Sequence, residues 1–133
     1  MEEPPPRGAV PTRRAVVCED DPTVRRVIES VFHDRGIEVI AEIDVITQIF
    51  DLIRYGRPDV VVLDLVLMGM SGAESLDDLG AIASEVPVVV FSAHDALRRE
   101  ALARGAHAFV DKPNFEELAD TVAELVDQIE HQS

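Results

Sequence analysis

Two rhythms of apolar and polar positions alternate along this chain. The first is a series of short, nearly continuous apolar runs at 15–18 (AVVC), 60–63 (VVVL), 87–91 (PVVVF) and 107–110 (HAFV). Residues 37–43 join this series as an alternating segment, with Ile37, Val39, Ala41 and Ile43 two apart. Each reads as a β-strand. The second rhythm has apolar residues three and four apart. After Asp21-Pro22, an N-cap followed by a first-turn proline, come Val24, Val27, Ile28, Val31 and Phe32, and Arg35-Gly36 ends the helix. Asp44 would cap a second helix carrying Val45, Ile46, Ile49, Phe50, Leu52 and Ile53, which Tyr55-Gly56-Arg57-Pro58 stops. A third helix is predicted over 73–84, with Leu76, Leu79, Ile82 and Ala83 inward, and a fourth over 95–104, stopped by Gly105. A fifth, over 114–130, carries Phe115, Leu118, Val122, Leu125, Val126 and Ile129 on one face.

Strand followed by helix, five times over, predicts an α/β protein. The third and fourth strands are apolar on both faces, as in a parallel sheet covered by helices on each side. Right-handed crossovers make that sheet doubly wound. Ligands in such sheets bind beyond the carboxyl ends of the strands. The residues after each apolar run are therefore the ones to examine: Glu19-Asp20-Asp21, Asp64, Ser92-Ala93-His94 and Asp111-Lys112-Pro113.

The 133 residues suffice for one domain and a substantial core. Four of the eight prolines fall in the first 11 residues. Residues 1–13 are expected to be a flexible Pro-rich leader, 14–130 the folded domain and 131–133 a tail. No apolar run approaches the length of a membrane span, about 18 residues or more. Cys18 is the single cysteine, which excludes an internal disulfide and points to the cytoplasm. Twelve Lys+Arg against twenty-six Asp+Glu leave a formal charge of −14. Such a balance repels phosphate backbones and acidic membranes, and it argues against direct nucleic-acid binding. The only lysine is Lys112.

Taken singly, the strand-end residues have ordinary explanations. Asp21 caps a helix, Asp64 is a turn acid, Ser92 a turn hydroxyl, Lys112 a solvated cation and Cys18 a small core residue. Together they describe a site. Carboxylates gathered on one edge repel each other, a hard cation relieves that repulsion, and oxygen-only donors select Mg²⁺ over zinc. A lysine and a hydroxyl beside them can hold the other oxygens of a phosphoryl group, and a central carboxylate can be the nucleophile that accepts it.

The segments VVCEDDPTVRRVIE, PDVVVLDLVLMGMSG, PVVVFSA and GAHAFVDKP, in that order, resemble the receiver domain of bacterial two-component response regulators. The resemblance runs from about residue 14 to 130. It implies a single flavodoxin-like domain: a doubly wound five-stranded parallel sheet of order 2-1-3-4-5 with five helices. By position it makes Asp64 the phosphoacceptor, and Glu19 and Asp20 the acid pair that holds Mg²⁺. Asp20 would bind the ion directly and Glu19 through water, with the backbone carbonyl of Val66 as a further ligand. Ser92 and Lys112 would bind the phosphoryl oxygens. Phe109 would be the switch aromatic that turns inward as Ser92 moves, and the Lys112-Pro113 bond would be cis. The implied partners are a histidine kinase or phosphotransfer protein as donor and a downstream protein whose affinity changes.

Some features depart from that pattern. Met68 and Gly69 stand where many receivers have a proline. The spacings from Asp64 to Ser92 and from Ser92 to Lys112 are about two residues short, so the fourth helix is expected to be short or shifted. Residues 114–133 hold no Lys or Arg, which gives no support to a salt-bridged dimer through the last helix. Competing readings are a phosphorylation-independent interaction module with the same fold, the N-terminal fragment of a longer DNA-binding regulator, and an aspartate-nucleophile phosphatase. The phosphatase needs a second Asp two positions after Asp64, where Val66 stands.

Overall fold

The computed structural model describes residues 13–43, 48–65 and 72–132. Five strands form one parallel sheet in the order β2-β1-β3-β4-β5, where β1 is Arg13–Cys18, β2 Ile37–Ile43, β3 Val60–Leu63, β4 Val88–Ser92 and β5 Ala108–Asp111. Helices connect successive strands: α1 (Pro22–His33), α2 (Ile49–Asp51, continuing as a π-helical turn over Leu52–Gly56), α3 (Gly72–Ala83), α4 (Arg98–Ala103) and α5 (Phe115–Gln132). The expected strand order and the five helices are both present.

Side chains alternate across the sheet and build two cores. On one face Val16, Cys18, Val61, Leu63, Val88 and Val90 meet Leu76, Leu79 and Ile82 of α3 and Ala101 of α4. On the other, Ala15, Val17, Val60, Val62, Val89 and Phe91 meet Ile28 and Phe32 of α1 and Leu118, Val122 and Leu125 of α5. Strands covered on both sides can afford no polar alternation, which is why VVVL and VVVF are uninterrupted.

Local chemistry sets most element ends near their expected places. The Asp21 carboxylate caps α1, accepting from the N–H of Thr23 at 2.8 Å, with Pro22 at the first helical position. Gly36, at φ 72°, turns the chain into β2. Gly105, at φ 112°, does the same after α4.

Two expectations are corrected and a third, the short fourth helix, is met. The sheet starts at Arg13 rather than Ala15, so the last residue assigned to the leader is a strand residue. The Arg13 guanidinium pairs with Asp127 of α5, and Arg14 donates its backbone N–H to Asp59 and its side chain to the Gly56 carbonyl. These two arginines anchor the strand although the charge pattern there reads as solvated chain. In α2 the expected N-cap, Asp44, and Val45 and Ile46 lie outside the described residues. Of the remainder Ile49 is buried and Leu52 and Ile53 pack on the core, but Phe50 is exposed, and Arg57 ends the element in the left-handed region at φ 48°. The fourth helix is indeed short. A 3₁₀ turn over Asp95–Leu97 precedes α4, where only Leu97 and Ala101 offer apolar anchors to the core.

Candidate functional site

The parallel sheet brings the carboxyl ends of β1, β3, β4 and β5 to one edge. Beyond β1 and β3, adjacent at the centre, stand Glu19, Asp20 and Asp64. The Asp64 N–H continues the ladder by donating to the Cys18 carbonyl at 3.1 Å, which seats the acid directly beside the end of β1. One carboxylate oxygen from each of Glu19, Asp20 and Asp64 lies within 4.8 Å of the others.

Lys112 reaches into this cluster from the end of β5. Its Nζ lies 2.6 Å from Glu19 Oε1 and 3.0 Å from Asp64 Oδ2, and 5.9 Å from the centre of the Phe91 ring. The Lys112-Pro113 peptide is cis, as the resemblance implied. Glu19 is 2 % exposed. Its other oxygen accepts the Asp21 N–H at 3.2 Å, and Arg25 of α1 donates to its backbone carbonyl at 3.0 Å. Asp20, by contrast, is exposed.

Burial and charge pull the site in opposite directions. Burial pushes the Glu19 carboxyl up from its ordinary value, and the Lys112 and Asp21 hydrogen bonds pull it back only in part. Burial pulls the Lys112 ammonium down, but its hydrogen bonds to Glu19 and Asp64, together with their charges, outweigh this, and the net shift is upward. Lys112 is thus held charged between two acids. The Cys18 thiol, buried below them, is pushed far up by desolvation and is inert.

The donor set fits Mg²⁺. It consists of carboxylate oxygens only, and one oxygen from each acid is close enough to the others to serve a common hard cation. Both Glu19 oxygens already accept hydrogen bonds, whereas Asp20 is open to solvent. Val66, whose carbonyl was the fourth expected ligand, lies outside the described residues.

Ser92 is the last residue of β4 and fully buried, and its hydroxyl oxygen accepts the His94 N–H at 3.1 Å. Its carbonyl accepts the Lys112 N–H at 3.1 Å, so the two residues expected to hold a phosphoryl group share a ladder rung. The Phe109 ring lies inside, 6 % exposed and packed in the core. The Arg98 guanidinium covers the ring at 4.6 Å from its centre. Neither Arg98 nor Arg25 was picked out by the sequence, because an arginine in a helical run reads as a solvated residue whatever strand it reaches. Among the described residues no helix is long and apolar enough to cross a membrane.

The model of the response regulator receiver domain family matches residues 15–123. The protein-glutamate methylesterase/protein-glutamine glutaminase of Haloarcula marismortui is 33 % identical over 126 residues, covering 87 % of this chain and 34 % of that protein. The chain therefore spans about a third of the relative's length, and the activity in that name is the relative's own. The chemotaxis protein CheY of Bacillus subtilis is 26 % identical over 117 residues, 86 % of this chain and 95 % of its own length. Among solved structures, a two-component response regulator of the LuxR family from Aurantimonas sp. SI85-9A1 is 27 % identical, with a TM-score of 0.76 over 89 % of this chain and 87 % of that one.

Proposed function

The chain belongs to the response regulator receiver domain family, and on that footing we propose that it is a phosphorylation-dependent signalling module whose phosphoacceptor is Asp64. The observation that carries this reading is the Lys112 ammonium held between Glu19 and Asp64, in a cluster of three carboxylates at the carboxyl edge of the sheet. One such pairing is a common surface feature. A sole lysine, half-buried and bonded to two of three clustered acids, is an arrangement that attracts a divalent cation and a phosphoryl group together.

In this reading a carboxylate oxygen of Asp64 attacks the phosphorus of a phosphohistidine on a histidine kinase or phosphotransfer protein. The N–P bond breaks as the O–P bond forms, leaving an acyl phosphate on Asp64 and, with the other ring nitrogen of the donor already protonated, a neutral imidazole. Lys112 orients Asp64 through Oδ2 beforehand and then pairs with the oxygens of the arriving group. Ser92 offers its hydroxyl proton to the same group while its oxygen accepts the His94 N–H, so a movement of Ser92 toward the phosphoryl group is felt in the 92–97 segment. Asp20 and Glu19 would hold Mg²⁺, which when bound neutralises charge on the transferring oxygens. The output is a changed affinity for a downstream protein in the cytoplasm. The module catalyses only its own phosphorylation and dephosphorylation. Incubation with acetyl phosphate and Mg²⁺ should label Asp64, and Asp64→Asn should abolish the label. Stable, undiminished labelling of that variant at another residue would refute the assignment.

A further inference from the structure

The Arg98 guanidinium makes four contacts on three parts of the fold. It lies 4.6 Å from the centre of the Phe109 ring, donates to the Phe109 carbonyl at 3.0 Å and to Asp111 Oδ2 at 2.5 Å, and donates to Asp95 Oδ1 at 3.0 Å. Two of these partners, Phe109 and Asp111, stand two positions apart on the same face of β5, and the third, Asp95, begins the 3₁₀ turn before α4. Arg98 itself is the first residue of α4. The side chain is 39 % exposed, and its head lies over the face of the buried Phe109 ring.

This arginine stands at the far end of the segment that the site would move. Ser92 opens the segment and Arg98 closes it, six residues on. Both ends are tied to the same stretch of β5. Ser92 pairs with Asp111 across the ladder and accepts the Lys112 N–H, and Arg98 grips Asp111 and Phe109. A displacement of Ser92 toward a phosphoryl group strains the 3₁₀ turn and pulls on a guanidinium anchored at four points. A planar fork of donors suits such a clasp, since one head group can hold a carboxylate, a carbonyl and an aromatic face at once.

We propose that Arg98 is a positioning residue, a clasp that keeps Phe109 buried and α4 on β5, and through which the state of Asp64 reaches the α4 face. The proposal rests on the reading of Asp64 as acceptor. It makes the arginine part of the switch, because the guanidinium lies on the Phe109 ring and is bonded to the strand that carries it.

The test uses the full chain labelled with 4-fluorophenylalanine, with the Phe109 resonance assigned from a Phe109→Leu variant. In the wild type, acetyl phosphate with Mg²⁺ should shift that resonance. In Arg98→Ala the resonance should be displaced before any donor is added, with greater sensitivity to exchange of H₂O for D₂O, and the donor-dependent shift should be lost. Arg98→Lys keeps the cation but not the fork and should recover only part of the shift. Thermal melts establish that each variant is folded. Labelling of Asp64 is measured on the same samples. Normal labelling of Arg98→Ala together with a wild-type Phe109 resonance and a wild-type shift overturns the clasp. Absence of labelling in the wild type instead overturns the acceptor reading and the transmission that depends on it.

Discussion

Replacing the sole lysine by an uncharged residue of similar length, Lys112→Met, isolates what the ammonium contributes to the fold. The methionine stem still packs near Phe91, so the change removes charge and hydrogen bonds with little loss of volume. What remains is Glu19, 3 % exposed at its side chain, and Asp64, 11 % exposed, facing each other without a counter-cation. Breaking a buried ion pair by deleting one partner costs about 3–5 kcal/mol. Lys112 is itself 20 % exposed, and a proton taken up by Glu19 relieves part of the repulsion, so the expected loss at pH 7 is about 2–3 kcal/mol. For a chain of this length that lowers the melting midpoint by about 6–12 °C. The sign with pH follows from the same geometry. Without Lys112 the Glu19 carboxyl is raised further in the fold, so the folded variant binds a proton that the unfolded chain, with an ordinary value of about 4.3, does not. Its stability therefore rises as pH falls toward 5, and the deficit against wild type narrows. Mg²⁺ supplies positive charge to the same oxygens and no longer competes with the ammonium, so its stabilisation should be at least as large in the variant as in the wild type. Thermal melts at pH 5 and pH 7, with and without Mg²⁺ at constant ionic strength, measure all of this. An unchanged midpoint at pH 7, or a deficit equal at both pH values, would refute the account of Lys112 as the neutralising centre of the cluster.

Two further outcomes can be checked by similar means. Asp20→Asn should raise the stability of the metal-free protein by no more than about 0.5 kcal/mol, because the side chain is exposed, while abolishing most of the Mg²⁺-dependent gain; equal Mg²⁺ shifts in variant and wild type would mean that the ion acts on overall acidity rather than at this site. Glu42, on β2, is pushed up to about 7 by partial desolvation, although its side chain still reaches solvent, with the hydrogen bond and charge of Glu29 adding to it. The folded chain then binds a proton that the unfolded one has lost, and wild-type stability declines as pH rises from about 4.3 to about 7. Glu42→Gln should flatten that part of the stability profile and melt above wild type at pH 8, and superimposable profiles would count against the pairing.

The periodicity of apolar residues was enough to determine the five strands, the five helices and the coverage of both sheet faces, because burial is a one-dimensional signal when elements are short and regular. The apolar runs of β3 and β4 could satisfy no other arrangement than a sheet sandwiched between helices. The order of the strand-end motifs likewise carried the identity of Glu19, Asp20, Asp64, Ser92 and Lys112, since a parallel sheet places every strand's carboxyl end on one edge. What the sequence could not carry were contacts that depend on the direction of a long side chain. Arg13 and Arg14 read as the end of a solvated leader, yet pairing with Asp127, Asp59 and Gly56 makes them strand residues. Lys112 and Glu19 are 93 residues apart, and only the sheet order, which brings the carboxyl end of β5 to the same edge as those of β1 and β3 across β4, makes their 2.6 Å contact and turns a carboxylate cluster into a partly neutralised one. Phe109 is inside for the same kind of reason. Its burial is completed by a guanidinium that leaves α4 and crosses to β5, and the reach and direction of an arginine are set by the tertiary packing around its helix rather than by its place in a hydrophobic pattern.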